Sequence, residues 1–132
     1  MVGQIRAGLV VLLGVAKGDD DSDGRYIAEK IRTLRIFSDD RGRMNRSLVD
    51  TGGAVLLVSQ FTLLGQTTNG RRPSFDKAAP PEEARRLYEQ VIAELRNQGT
   101  TVETGVFASY MKLALVNDGP ATFLLDSRED RG

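Results

Sequence analysis

The sequence predicts an α+β domain in which two helices cover a curved, mostly antiparallel, barrel-like sheet. Three observations predict it. Two apolar runs, residues 9–15 and 54–64, are rich in Val and Leu and read as strands. Two stretches place apolar residues at helical spacing. Past residue 100, short apolar segments alternate with turn residues and read as a meander or hairpin. Together they give the order β-α-β-β-α-β-β-β, and its 132 residues suit a single domain over 1–132.

The elements follow in order. Leu9-Val10-Val11-Leu12-Leu13-Gly14-Val15 is continuous and apolar, as in a strand buried on both faces. In Asp19-Asp20-Asp21-Ser22-Asp23, Ser22 or Asp21 is the expected N-cap, and the acids favour a helix amino end. Tyr26, Ile27, Lys30, Ile31 and Leu34 then give a helix near 22–33. Leu34-Arg35-Ile36-Phe37 alternates as a short strand, and Asp39-Asp40-Arg41-Gly42 is a turn. Gly52-Gly53 is another turn before the strand at 54–64, and residues 65–74 form a polar loop. Pro80-Pro81-Glu82-Glu83 opens a second helix, with Leu87, Tyr88, Val91, Ile92 and Leu95 as its apolar stripe and Gly99 at its end. Strands are expected at 101–107, 110–116 and 121–126, the last two joined by a turn at Asn117-Asp118-Gly119-Pro120.

Composition excludes much chemistry. The chain has no His and no Cys. A Ser-His-Asp triad, a cysteine nucleophile, a disulfide framework, a Cys/His zinc site and a histidine general base are therefore impossible. No metal site and no cofactor is expected. Asp19-Asp20-Asp21 lacks the spaced ligands and closing Glu of an EF-hand and reads as a helix cap. Gly3, Gly8, Gly14 and Gly18 match no phosphate-binding loop. Eighteen basic residues balance eighteen acidic ones, which disfavours a surface that binds polyanions wholesale. No apolar run approaches the ~20 residues that span a bilayer, so no membrane partner is expected. The opening residues carry too short an apolar region for a signal peptide, and the cytoplasm is the expected location.

Three constellations remain. Ser59-Gln60-Phe61-Thr62-Leu63 brings two hydroxyls and an amide to the end of an apolar strand. By strand alternation Ser59, Phe61 and Leu63 share one face, and Gln60 and Thr62 the other. Either they satisfy a loop, or they converge on a ligand. Without His to activate a hydroxyl, backbone N–H donors are the more natural catalytic device. Asn69-Gly70-Arg71-Arg72-Pro73-Ser74-Phe75 lies in the best local basic patch, either a solvated loop or a set of phosphate contacts. Asn117-Asp118-Gly119-Pro120-Ala121-Thr122 is either a plain hairpin turn or a rigid one that presents carbonyl oxygens, which suit an ammonium group.

These three motifs resemble, in order, those of the D-aminoacyl-tRNA deacylase family. Leu34-Arg35-Ile36-Phe37, residues 53–58, Val102-Glu103-Thr104-Gly105 and Met111 are similar to it as well, so the resemblance runs from about Val2 to Ser127. It implies a homodimer that hydrolyses the ester joining a D-amino acid to the 3′-terminal adenosine of tRNA, with active sites at the subunit interface. It places Ser59, Gln60, Phe61 and Thr62 in the catalytic pocket, and Leu63, Met111 and Thr122 against the substrate. Gly119 and Pro120, as a Gly-cis-Pro pair, would enter the partner's pocket as the chirality gate. Arg71 and Arg72 are the candidates for tRNA contact. A gate that rejects an L side chain by clash has nothing to reject in glycine, so glycyl-tRNA is also expected as a substrate.

The chain departs from the family in two places. Family members carry a further strand ahead of the segment matching Val2-Gly3, and an Arg on it braces the Gly-Pro pair. No residue here takes that role, Arg6 lying in another segment, so the chain is expected to be short at its amino end. Phe107-Ala108-Ser109-Tyr110 also differs from the small-residue run common before Met111. Two alternatives accompany this reading: a non-catalytic tRNA- or RNA-binding dimer of the same fold, and a truncated, impaired variant.

Overall fold

The computed structural model describes residues 3–118 and 121–130. Its centre is a sheet of three parallel strands in the order β1-β4-β5: β1 Gly8–Leu13, β4 Ala54–Ser59 and β5 Val102–Thr104. Between β1 and β4 the chain passes through α1 (Asp21–Thr33), the ribbon β2 (Phe37–Ser38) and β3 (Met44–Arg46), and the short α2 (Leu48–Thr51). Between β4 and β5 it passes through a 3₁₀ turn at Phe61–Leu64 and α3 (Pro81–Asn97). A last turn of helix, α4, covers Ser127–Asp130.

The α+β class holds, but the strand directions differ from the sequence expectation. Among the described residues, only the β2–β3 ribbon and isolated bridges are antiparallel. The reason lies in the two helices. Each separates two strands by a crossover long enough to return the chain to its starting end, which makes the strands parallel. Both crossovers move the same way across the sheet, from β1 to β4 to β5, and α1 and α3 pack together. Arg86 meets Asp21 at 2.6 Å, and Gln90 Nε2 donates to the Asp21 carbonyl at 3.0 Å.

The core lies between these helices and one face of the sheet. Val55, Leu57 and Val102 pack with Ala28, Ile31, Tyr88, Val91 and Leu95, all buried. Full burial of each such aliphatic side chain contributes about 1.5–3 kcal/mol. Tyr88 keeps its polar end satisfied by donating from Oη to the Leu57 carbonyl at 3.1 Å. Burial pushes its phenol above the ordinary value, against a hydrogen bond with Thr104 and the charge of Arg96.

Other elements refine the reading. The α1 cap is Asp20, one residue ahead of Asp21 and two ahead of Ser22, the expected positions. Asp20 accepts the Ser22 N–H at 2.9 Å, and Asp23 accepts the Asp20 N–H at 2.9 Å. Leu34 closes α1, so the strand read at 34–37 shrinks to Phe37–Ser38. α3 begins at Pro81 as its prolines require, and Gly99 follows its last residues at φ +87°, a conformation open to glycine. β1 is not buried on both faces: Val10 and Leu12 are 38% and 43% exposed.

The strand expected at 101–107 is confined to Val102–Thr104. Residues 110–116 and 121–126 form no strand. These apolar segments find no paired edge among the described residues, and Tyr110, Val116 and Leu124 are more than nine-tenths exposed. A strand exists only where its N–H and C=O groups meet a neighbour's.

Candidate active site at the carboxyl end of β4

The sheet ladder ends where the polar motif begins. Ser59 pairs with Leu13, and the Gln60 N–H donates to the Leu13 carbonyl at 2.8 Å as the last bond. β1 stops there, and Gly14 lets the next residues fold inward. A Cβ at Gly14 would overlap the Leu64 side chain and lie 3.2 Å from the Gln60 carbonyl oxygen. Without a partner strand, residues 61–64 close into a 3₁₀ turn, in which the Leu63 N–H donates to the Gln60 carbonyl at 3.3 Å.

This corrects the strand read at 54–64: alternation holds only to Ser59, and the two faces assigned to Phe61, Leu63 and Thr62 do not exist. Gln60 and Thr62 meet all the same, since Gln60 Nε2 donates to Thr62 Oγ1. Phe61, Thr62 and Leu63 are exposed. The backbone N–H groups of Phe61 and Thr62, at the start of the turn, find no acceptor among the described residues. Two adjacent free donors of this kind suit a carbonyl oxygen that gains negative charge.

The basic loop is tied to the same place. Gln66 and Ser74 exchange backbone hydrogen bonds at 2.7 and 2.8 Å, and the Phe61 and Phe75 rings meet edge-on at 5.1 Å. Arg71 and Arg72 lie exposed between these anchors. Lys17 and Ala79 N–H groups bond to the Lys77 and Val15 carbonyls, each at 2.9 Å, which fixes the approach to α3 against the end of β1.

Met111 lies on the sheet face away from the helices. With Leu56, Val58, Thr104 and Ser109 it lines a cavity of about 400 Å³. Thr122 Oγ1 accepts from Asn117 Nδ2 at 3.2 Å. Gly119 and Pro120, the expected gate, lie outside the described residues.

Sequence reasoning missed Gly14 and Phe75. The signal for the first was a glycine directly after an apolar run that is followed by another strand in space. Phe75 offered none beyond its place in the loop. Among the described residues no group of three or more Asp or Glu side chains is placed to hold a metal ion, and no helix is long and apolar enough to cross a membrane.

Comparison with known proteins shows the family of the chain. A model of the D-Tyr-tRNA(Tyr) deacylase family matches residues 1–126. A D-aminoacyl-tRNA deacylase of Heliobacterium modesticaldum is 58% identical over 127 residues, 96% of this chain and 85% of the relative. One from Pelobacter propionicus is 56% identical over 126 residues, 96% and 87% of the two chains. The chain belongs to the D-Tyr-tRNA(Tyr) deacylase family. Among solved structures, a c-Myc DNA unwinding element binding protein superposes with a TM-score of 0.86 at 34% identity, covering 92% of this chain and 83% of that one. A probable eukaryotic D-amino acid tRNA deacylase shares the fold, with a TM-score of 0.66 at 16% identity over 83% of this chain and 78% of that one.

Proposed function

We propose that this chain hydrolyses the ester joining a D-amino acid to the 3′ end of tRNA, frees the tRNA for reuse and spares L-aminoacyl-tRNA. One observation carries the reading: relatives named for this activity are 53–58% identical across nearly the whole chain, well above a match of fold alone.

Ser59, Gln60, Phe61 and Thr62 form the catalytic pocket, with Leu63 at its rim. The Phe61 and Thr62 N–H groups hold the ester carbonyl oxygen as it becomes an oxyanion. The Gly119 and Pro120 carbonyl oxygens of a second copy accept from the substrate α-ammonium. With carbonyl and ammonium both fixed, a D side chain points outward, and an L side chain is driven into the Gly-Pro wall. Met111 and Thr122 back this wall, and Arg71 and Arg72 meet the phosphates next to the 3′ end.

Water attacks the carbonyl carbon. The ester bond breaks with the ribose oxygen as leaving group, and the products are free D-amino acid and tRNA. Thr62 is a poor nucleophile: no base faces it among the described residues, and the Gln60 amide already donates to its oxygen. The terminal ribose 2′-hydroxyl is the better candidate to position the water.

The active unit is a homodimer in the cytoplasm, one domain per chain, with each pocket completed by its partner. Exposed Val10, Leu12, Leu113 and Leu115 support this assembly, since an apolar surface of this kind calls for cover. The barrel-like closure of the sheet belongs to the same assembly, with residues 106–126 pairing once they are covered.

A second reading is nucleic-acid binding without turnover, which the likeness to the c-Myc DNA unwinding element binding protein favours. D-tyrosyl-tRNA in large excess over protein separates the two. Release of many equivalents of D-tyrosine is the expected result. A saturable complex with the ester intact would establish the second reading instead.

A further inference from the structure

The β2–β3 hairpin carries charge that the site at 59–63 does not use. Asp39, Asp40, Arg41, Arg43 and Arg46 line an open depression of about 470 Å³, together with Met44 and Asn45. Both carboxylates are already engaged. Asp39 accepts the Arg41 and Arg43 N–H groups at 2.9 and 3.0 Å, and Asp40 accepts from Arg46 Nη2 at 2.9 Å. The guanidinium groups of Arg41 and Arg43 are exposed, with no carboxylate partner among the described residues. The turn is held rigid through Asp39, so two free, planar donor groups stand on a fixed backbone. This is the chemistry that recognises phosphate oxygens.

Topology sets where those phosphates must be. The polar motif leaves the carboxyl end of β4, whereas the hairpin leads through α2 into its amino end. There Gly53 lies against Leu48 of α2 and Gly8 of β1. β4 has six residues, so at roughly 3.3 Å each its two ends lie about 17–20 Å apart, the polar motif leaving one and the hairpin leading into the other. A nucleic-acid duplex presents one charge per ~1.7 Å of axis, so a duplex anchored at the site can pass the hairpin many phosphates away. A small anion would gain nothing from that separation.

We propose that Arg41 and Arg43 form a second contact for tRNA, on the sugar-phosphate backbone remote from the aminoacylated 3′ end. The proposal rests on the deacylase reading and deepens it.

The test uses the full chain and its Arg41→Gln/Arg43→Gln variant, with D-tyrosyl-tRNA and D-tyrosyl-adenosine as substrates over a salt series. Equal melting temperatures establish that the hairpin still folds. Expected for tRNA is a KM raised about tenfold at low salt with kcat nearly unchanged. The plot of log(kcat/KM) against log[salt] should be shallower by roughly 1.4–1.8, the worth of two phosphate contacts. The adenosine substrate should change less than about twofold, and Arg41→Lys/Arg43→Lys should regain most of the slope. Equal losses on both substrates, or an unchanged slope on tRNA, would overturn the proposal. Direct binding of uncharged tRNA by the same proteins decides the arginine contact even if the wild-type chain hydrolyses neither substrate, a result that would refute the deacylase reading by itself.

Discussion

Gln60 and Thr62 show how a residue pair acquires its chemistry from the end of a ladder. Hydroxyls on a strand would alternate faces. Because β1 stops at Leu13 and Gly14 clears the space, the chain turns instead, and the Gln60 amide reaches Thr62 Oγ1. The same turn frees the Phe61 and Thr62 N–H groups. The candidate site then depends more on backbone than on side chains. Thr62→Ala is expected to keep kcat/KM for D-tyrosyl-tRNA within about tenfold of wild type, whereas a substrate ending in 2′-deoxyadenosine should lose at least a hundredfold. Single-turnover kinetics on the two substrates check this; the reverse ranking would make Thr62 the nucleophile. The residue types of the motif were legible in the sequence. Their turn was not, because Phe61, Leu63 and Leu64 continue the apolar run of β4 and hide the end of its partner strand.

At the scale of elements, periodicity was the reliable signal. The apolar stripe of α3 stands where spacing places it, whereas α1 buries Gly24, Ala28 and Ile31 and shares only Ile27 and Ile31 with the core among the residues its spacing picked out. Strand direction was misread: a helix between two strands implies a parallel pair, but the turn-rich later half suggested an antiparallel meander. The short α2 escaped because four residues carry no period. A local device holds it. Ser47 and Asp50 form a capping box, in which Asp50 accepts the Ser47 N–H at 2.8 Å and Ser47 Oγ accepts the Asp50 N–H at 3.1 Å. Ser47→Ala is expected to cost about 1 kcal/mol in urea unfolding. The backbone bond from Ser47, then its side chain, holds the Asp50 carboxyl below its ordinary 3.8. A carboxyl depressed on folding stabilises fully above its unfolded value, and this contribution is lost as pH falls through the folded one. Below about pH 4, Asp50→Asn should therefore show a flatter loss of stability than the wild-type chain.

The whole molecule explains why the later segments read as strands and are not. Leu113, Leu115, Val116 and Leu124 sit in short apolar segments bounded by turn residues, as strand residues do, but in a single chain they face solvent. In the proposed dimer the information they carry would concern the assembly, and a helix–sheet core can be complete without them. Balanced net charge fits the same picture: contact with tRNA would be confined to the 3′ end, Arg71 and Arg72, and the distant hairpin. The absence of His and Cys gains meaning at this scale as well, since donors, carbonyl acceptors and the substrate's own hydroxyl require neither. The central claim is discrimination by handedness. It is tested most directly by comparing hydrolysis rates of D-tyrosyl- and L-tyrosyl-tRNA, prepared on the same tRNA and treated with the same protein. Rapid loss of the D ester with the L ester decaying only at its spontaneous rate is the expected result. Equal rates for the two, or no acceleration of either, would contradict it.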